Sequence, residues 1–209
     1  MPKYTLHYFA GNGRAVIARA ILSYVKADWV NDTFKYEDWP KLKTSGLCEF
    51  EQVPVLEVDG KKYCESHAIN LYLAEVFKLM GKDAEENYQI TNVLMAFEDY
   101  MDPIWQTLYN TDESKKAELK KKAEEKLKFF FGKFEKRYVD LGKGKYFLGD
   151  KFTLADIVLA AALPAAVNIL GLKDCPCKEC APNLGELIKR VKENELKEFY
   201  EKFYVKSSY

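Results

Sequence analysis

The chain has 209 residues, 48% of them hydrophobic, and its 32 basic side chains balance 32 acidic ones. A chain this apolar can bury a full core, which argues against disorder, and its charge balance gives no bulk attraction to nucleic acid or an anionic membrane. No apolar run approaches the roughly 20 residues of a membrane-spanning helix, and the N-terminal pattern is not that of a signal peptide. Five cysteines at this low density predict a cytoplasmic protein with reduced thiols.

The N-terminal part follows the order strand, helix, strand. Residues 3–9 alternate in polarity around Tyr4, Leu6 and Tyr8, residues 14–25 have helical spacing, and residues 29–34 alternate again. Two strands joined through a helix predict a parallel pair. Residues 36–50 hold no sustained period and predict a loop with one short helix.

Residues 51–66 add a hairpin and the start of a second helix. An apolar run from Val53 to Val58 is followed by Asp59-Gly60, a strong hairpin signal, and Ser66 is an N-cap residue type. Because a proline cannot donate to a strand ladder, Pro54 should lie at the start of the strand, with Val53–Pro54 a candidate cis bond. The backbone groups of Val53 are then free to bind another extended chain.

From residue 85 onward the pattern is helical. Helical spacing covers residues 85–108, 113–138, 157–170, 184–192 and 196–203. Pro103 should bend or interrupt the first of these helices and Pro164 should kink the third, which a capping box from Thr153 to Asp156 opens. The predicted fold is an α+β domain over residues 1–80, in the order β-α-β-β-β-α, followed by an all-α domain over residues 86–209.

Few residue patterns indicate a particular chemistry. Ser-His-Asp spacing, a phosphate-binding loop and a convincing metal-ligand cluster are all absent from the sequence. Cys175, Cys177 and Cys180 form a C-x-C-x-x-C group that could bind zinc or sense redox state. With no fourth ligand nearby, a structural or incidental role is the favoured interpretation.

Tyr8 is the strongest single candidate for chemistry. It ends the first strand, just before a glycine-containing loop and a helix start, where α/β folds place ligands. A phenol there can donate a hydrogen bond to an anion, and Arg14 can add a positive charge at the same place. A partly buried core tyrosine and a surface ion pair of Arg14 are the alternatives, and the residues alone do not decide between them.

Three groups of residues, taken together and in order, resemble the cytosolic glutathione transferases. They are Leu6 to Phe9 with Gly13 to Ala15, then Gln52 to Leu56 with Glu65 to Ile69, and last Thr153 to Asp156. The resemblance covers essentially the whole chain, and Tyr8-Phe9, Trp39 and Lys43 are most similar to the sigma class. It implies a thioredoxin-like N-terminal domain, glutathione as co-substrate and no metal.

The resemblance also implies roles for individual residues. Tyr8 would donate to the glutathione sulfur and Arg14 would favour its thiolate. The implied glutathione-binding residues are Tyr8, Trp39, Lys43, Gln52, Val53, Pro54, Glu65 and Ser66, with Asp99 reaching across a homodimer. The implied electrophile pocket, placed between the domains, is formed by Phe9, Met101, Trp105 and Tyr109, with packing in the core an equal alternative for the last three. In related classes a phenylalanine near the position of Phe50 docks into the partner subunit.

The function implied by the resemblance is conjugation of glutathione to small hydrophobic electrophiles, whose identity the sequence leaves open. One alternative is a glutathione-dependent prostaglandin isomerase or peroxidase, although Met95 stands where the prostaglandin isomerases begin an acidic cluster. Another is a non-catalytic ligand-binding or structural protein of the same fold, like the lens crystallins of squid. The presence of Tyr8, Arg14 and Ser66 argues against loss of activity.

Overall fold

A computed structural model describes residues 2–172 and 177–206. The chain forms two compact units: residues up to Leu79 together with Glu195–Val205, and a second unit containing Met80–Asn194. The predicted domains, residues 1–80 and 86–209, differ from these units mainly in where residues 195–205 belong. Among the described helices, none combines the length and apolar character needed to cross a bilayer.

A four-stranded mixed sheet organises the first unit. Its strands are β1 (Tyr4–Phe9), β2 (Trp29–Phe34), β3 (Val55–Val58) and β4 (Lys61–Tyr63). The spatial order is β2-β1-β3-β4, with β1 and β2 parallel and the other neighbours antiparallel. Along β1, Tyr4, Leu6 and Tyr8 are buried while the residues between them are partly exposed, which is the period of two expected for a strand. The predicted order of strands and helices along the chain, β-α-β-β-β-α, and the parallel first pair are confirmed.

Short helices flank this sheet. A 3₁₀ turn at Gly13–Ala15 leads into α1 (Val16–Tyr24), and a second turn at Tyr36–Asp38 leads into α2 (Trp39–Lys43). Helix α3 (Ser66–Val76) follows β4 and packs, with α1, on the sheet. Helix α1 is buried along nearly its whole length because every residue from Val16 to Leu22 except Arg19 is apolar.

The second unit is helical in its described part. It contains α4 (Ala84–Tyr109), α5 (Glu113–Asp140), α6 (Leu154–Ile157), α7 (Leu163–Ile169), α8 (Cys177–Cys180) and α9 (Pro182–Glu193). Helix α4 is continuous through Pro103, so the predicted interruption does not occur. A π-helical turn, Val158–Ala162, separates α6 from α7 just before Pro164. Pro164 has no backbone N–H to donate, and in a regular α-helix its ring would clash with the preceding turn. The wider π-helical turn leaves room for that ring.

The C-terminal segment belongs to the first unit. Helix α10 (Lys197–Lys202) packs on α1, and the ring centroids of Trp29 and Phe203 are 4.7 Å apart. Asn12 Nδ2 donates to the Val205 carbonyl at 2.8 Å, and the Val205 N–H donates back to Asn12 Oδ1 at 3.0 Å. The chain end therefore fixes the loop that follows β1.

The predicted capping box between Thr153 and Asp156 is present, and the side chain of Asp156 is buried. Asp156 accepts hydrogen bonds from the Thr153 N–H at 2.9 Å, from the Thr153 hydroxyl at 3.1 Å and from the Phe147 N–H at 2.7 Å. Burial raises the pKa of Asp156 to about 6, against the hydrogen bonds that lower it. The usual pKa of an aspartate is 3.8, so Asp156 loses its proton at a lower pH in the unfolded chain than in the folded protein. Its contribution to the free energy of unfolding therefore falls as the pH rises from about 4 to about 6.

We expect Asp156→Ala to lower the free energy of unfolding by about 3–5 kcal/mol, because three buried donors would lose their acceptor. Urea denaturation measures the change. Asp140→Ala is the matched control: its side chain is 58% exposed in an i,i+4 pair with Lys136, so its removal should change stability by no more than about 0.5 kcal/mol. Equal effects of the two substitutions would contradict this role of Asp156.

Candidate active site

Tyr8 lies at the end of β1 with its phenol against the following helix start. The ring is buried, with 8% of its surface exposed. Its hydroxyl oxygen accepts a hydrogen bond from the Arg14 backbone N–H at 3.0 Å. A hydroxyl that accepts a hydrogen bond becomes a stronger donor through its own proton. The structure thus brings the two predicted catalytic residues together, through the Arg14 backbone.

Gly13 allows this close approach. A Cβ built on Gly13 would lie only 2.4 Å from the Tyr8 hydroxyl oxygen. The residue also has a φ of +40°, a backbone conformation that side chains with a Cβ rarely adopt. The phenol therefore rests directly on the glycine backbone, and any larger residue at position 13 would have to displace it.

Arg19 is a part of this region that the sequence reasoning missed. It lies on α1 with only 1% of its surface exposed. Its Nε donates to Asn31 Oδ1 at 2.9 Å, its Nη2 donates to the Phe9 carbonyl at 2.8 Å, and its Nη1 donates to the Gly11 carbonyl. Its guanidinium carbon lies 5.6 Å from the centre of the Tyr8 ring, within the range of a cation–π contact. Arg19 ties down the loop after β1 and sets a positive charge beside Tyr8.

A cleft in the first unit collects most of the predicted binding residues. It has a volume of about 240 Å³. The residues that line it are Arg14, Phe50, Gln52, Val53, Pro54, Cys64, Glu65 and Ser66. The Val53–Pro54 bond is cis, as considered from the sequence, and β3 begins only at Val55. The backbone of Val53 thus lies outside the strand ladder, at the edge of the cleft.

The other wall of the cleft is a helix N-terminus. Helix α3 begins at Ser66, which is 8% exposed, and its first N–H groups have no partner within the helix. Such a terminus favours an anion. Glu65, just before it, is exposed and has a φ of +67°, which is uncommon for a residue with a side chain. A carboxylate and a helix N-terminus side by side suit a ligand with an ammonium and a carboxylate on one carbon.

Three predicted glutathione-binding residues of the first unit do not line this cleft: Tyr8, Trp39 and Lys43. Tyr8 is hydrogen-bonded to Arg14, which does line it. Trp39 packs in an aromatic cluster, with its ring centroid 5.7 Å from Phe9 and stacked 6.0 Å from Phe34. Lys43 Nζ lies 3.8 Å from Glu51 Oε2. The Phe9 ring, which was assigned to the electrophile pocket, also contacts Tyr8, with centroids 5.5 Å apart.

The remaining predicted site residues lie on α4. Asp99 is exposed, and Met101 is buried with 1% of its surface exposed. The rings of Trp105 and Tyr109 stack with centroids 6.2 Å apart, and Tyr109 is 69% exposed. In the second unit, therefore, Met101 belongs to the core, whereas Tyr109 presents apolar surface.

The described residues offer no group of three or more His, Cys, Asp or Glu side chains placed to hold a metal ion. Of the predicted C-x-C-x-x-C group, Cys180 is the residue whose side chain the structure describes. The Cys180 thiol is partly exposed and lies 3.8 Å from the Lys128 carbonyl oxygen. Cys175 and the side chain of Cys177 lie outside the described residues.

Comparisons with known proteins identify the family. A sequence model of the glutathione S-transferase N-terminal domain matches residues 4–75, and one of the C-terminal domain matches residues 98–203. Glutathione S-transferase 2 of Manduca sexta is 32% identical over 175 residues, covering 83% of this chain and 84% of its own length. The chain therefore belongs to the glutathione S-transferase family of enzymes, whose members use glutathione as co-substrate.

Solved structures of similar fold include two with different descriptions. The prostaglandin synthase D of Nilaparvata lugens has a TM-score of 0.85 and 30% identity, covering 98% of this chain and 100% of its own. The glutathione S-transferase Na-GST-3 of the hookworm Necator americanus has a TM-score of 0.81 and 28% identity, with 95% and 96% coverage, and is described as monomeric. The predicted fold, a thioredoxin-like α+β part followed by a helical part, is confirmed.

Proposed function

We propose that this enzyme conjugates the thiol of glutathione to small hydrophobic electrophiles, with Tyr8 stabilising the thiolate. The observation that carries the proposal is the position of the Tyr8 hydroxyl, which accepts a hydrogen bond from the Arg14 backbone N–H at 3.0 Å at the start of the helix after β1. A free thiol has a pKa of about 8.5 and is mostly protonated at neutral pH. A phenolic donor and a nearby cation favour the thiolate, which is the reactive nucleophile.

The cleft supports a specific orientation of glutathione. Its γ-glutamyl carboxylate is assigned to the Ser66 hydroxyl and the first N–H groups of α3, and its ammonium to Glu65. Its cysteinyl backbone pairs with the backbone of Val53, which stands outside the β3 ladder. Gln52, with Trp39 and Lys43, is assigned to the glycyl end, which requires those two side chains to turn from their present contacts.

The apolar co-substrate is assigned to aromatic side chains of α4. Trp105 and Tyr109 form a stacked pair, and Tyr109 is 69% exposed, so its ring is accessible to an apolar ligand. We also propose a homodimer in which Asp99, exposed on the same helix, reaches the γ-glutamyl group bound by the partner subunit. Light scattering tests this point directly, because a monomer removes the role of Asp99.

The experiment that tests the function uses purified protein, immobilised glutathione and a chlorodinitrobenzene-type electrophile. We expect retention on glutathione and saturable, glutathione-dependent turnover. Retention without turnover of any electrophile would favour the non-catalytic, crystallin-like alternative. Absence of both would contradict the assignment of the cleft.

A second candidate function is glutathione-dependent isomerisation of prostaglandin H to prostaglandin D. Its support is the similarity to the prostaglandin synthase D of Nilaparvata lugens. Met95, which is 40% exposed on α4, lacks the charge that an acidic cluster on this helix would need. Supplying prostaglandin H with glutathione and identifying the product by mass spectrometry decides the question. Prostaglandin D formed faster than without enzyme supports this activity.

A further inference from the structure

One cysteine lines the cleft and a second lies in the loop that leads to it. Cys64 lies between β4 and α3, next to Glu65 and Ser66, and its partly exposed free thiol is part of the cleft lining. Cys48 is buried in the loop after α2. Its carbonyl accepts the Glu51 N–H at 3.2 Å, in the turn that leads to Gln52. Of these two thiols, Cys64 is therefore the one that faces the space assigned to glutathione.

The two thiols differ in reactivity. Burial raises the pKa of the Cys48 thiol, and the neighbouring Cys64 raises it further. The thiolate is the form that attacks a disulfide, and the attacking sulfur must also be accessible. Cys48 lacks both properties, whereas Cys64 is accessible from the cleft.

We propose that Cys64 is a modification site, at which glutathione disulfide entering the cleft forms a mixed disulfide with the protein. This inference rests on the proposed binding of glutathione in the same cleft. The Cys64 thiolate attacks one sulfur of glutathione disulfide, a new S–S bond joins Cys64 to one glutathione, and the original S–S bond breaks. The second glutathione leaves as a thiolate and takes up a proton, so the oxidant is the disulfide itself.

The modification would regulate the enzyme. A glutathione tethered at Cys64 is held beside its own binding site at an effective concentration of roughly millimolar or more, so it competes continuously with free glutathione. We expect conjugating activity to fall roughly tenfold, since occupancy of the site by the tethered, thiol-blocked ligand excludes the co-substrate. An excess of reduced thiol reverses the exchange and restores activity, which makes the enzyme responsive to the ratio of disulfide to thiol.

The experiment treats the whole protein with glutathione disulfide and follows intact mass, peptide map and conjugating activity. Cys64→Ser and Cys48→Ser are the matched variants, and Cys180, a partly exposed thiol outside the cleft, is the internal reference. A parallel sample contains S-methylglutathione, an unreactive thioether that occupies the glutathione site. We expect one glutathione at Cys64 in wild type and in Cys48→Ser, and none at position 64 in Cys64→Ser. The thioether should slow modification of Cys64 but not of Cys180, and reductant should restore activity.

Three results would overturn the inference: no glutathione on Cys64, modification of Cys64 that S-methylglutathione does not slow, or modification that leaves conjugating activity unchanged. Each of these is distinct from failure of the proposed function. That failure appears in the untreated protein, as absence of glutathione-dependent turnover. Preserved turnover with an unmodified Cys64 refutes the modification site alone.

Discussion

Tyr8→Phe should reduce kcat/KM for glutathione conjugation about 100-fold at neutral pH, the typical effect of removing one hydrogen-bond donor to a developing or stabilised anion. The substitution removes the hydroxyl that accepts the Arg14 N–H and leaves the ring in place. Binding of glutathione should change little, because the γ-glutamyl contacts proposed at Ser66 and Glu65 remain. Steady-state kinetics across pH measure the effect, and the pH profile should move toward the free thiol value of about 8.5.

A matched control distinguishes the catalytic effect of the Tyr8 hydroxyl from the effect of removing a tyrosine hydroxyl elsewhere in the protein. Tyr36 lies in the same unit and is 73% exposed, so Tyr36→Phe should leave kcat/KM unchanged. If Tyr8→Phe also leaves turnover unchanged, the catalytic assignment of Tyr8 is wrong.

Gly13→Ala should reduce activity by a similar factor, although it replaces none of the side chains assigned to the chemistry. The new methyl group would stand 2.4 Å from the Tyr8 hydroxyl oxygen, so the phenol must move and its hydrogen bond with the Arg14 N–H must lengthen or break. The φ of +40° adds backbone strain of about 1–2 kcal/mol. Turnover and urea denaturation together measure the two effects.

Gly46→Ala is the control for strain alone. Gly46 has a φ of +80°, but a Cβ there meets nothing within 4 Å. This variant should lose stability by about 1–2 kcal/mol and keep its turnover. Equal loss of activity in the two variants would show that strain, and not contact with Tyr8, explains the effect at Gly13.

Local sequence patterns were sufficient to predict much of the secondary structure of the first unit. Strand β2 has the predicted bounds, Trp29–Phe34. They could be predicted because side chains on a strand alternate between its two faces, so that alternating polarity indicates a strand with one face towards solvent. Pro54 could be placed at the start of β3, since a residue without an N–H is excluded from the ladder. The helical stripe of α4 and the capping box at Thr153 were likewise local signals.

Features that depend on contacts distant in sequence could not be predicted. The hydrogen bonds between Asn12 and Val205 join residues 193 positions apart, and the hydrophobic pattern around either residue does not predict them. Arg19 is the only charged residue in α1, and that isolation was the one available signal of its burial. Its three acceptors lie on other elements, so its role beside Tyr8 became visible only with the fold. The aromatic packing of Trp39 was hidden for the same reason.

The central claim is that Tyr8 stabilises the thiolate of glutathione bound in this cleft. The most direct measurement is a titration of the bound thiol, by ultraviolet difference absorbance of the thiolate across pH, for wild type and Tyr8→Phe. For the wild type we predict a bound-thiol pKa roughly one to two units below the free value of about 8.5, and for Tyr8→Phe a value close to that of free glutathione. An unshifted thiol in the wild type, or an equal shift in the two proteins, would contradict the account.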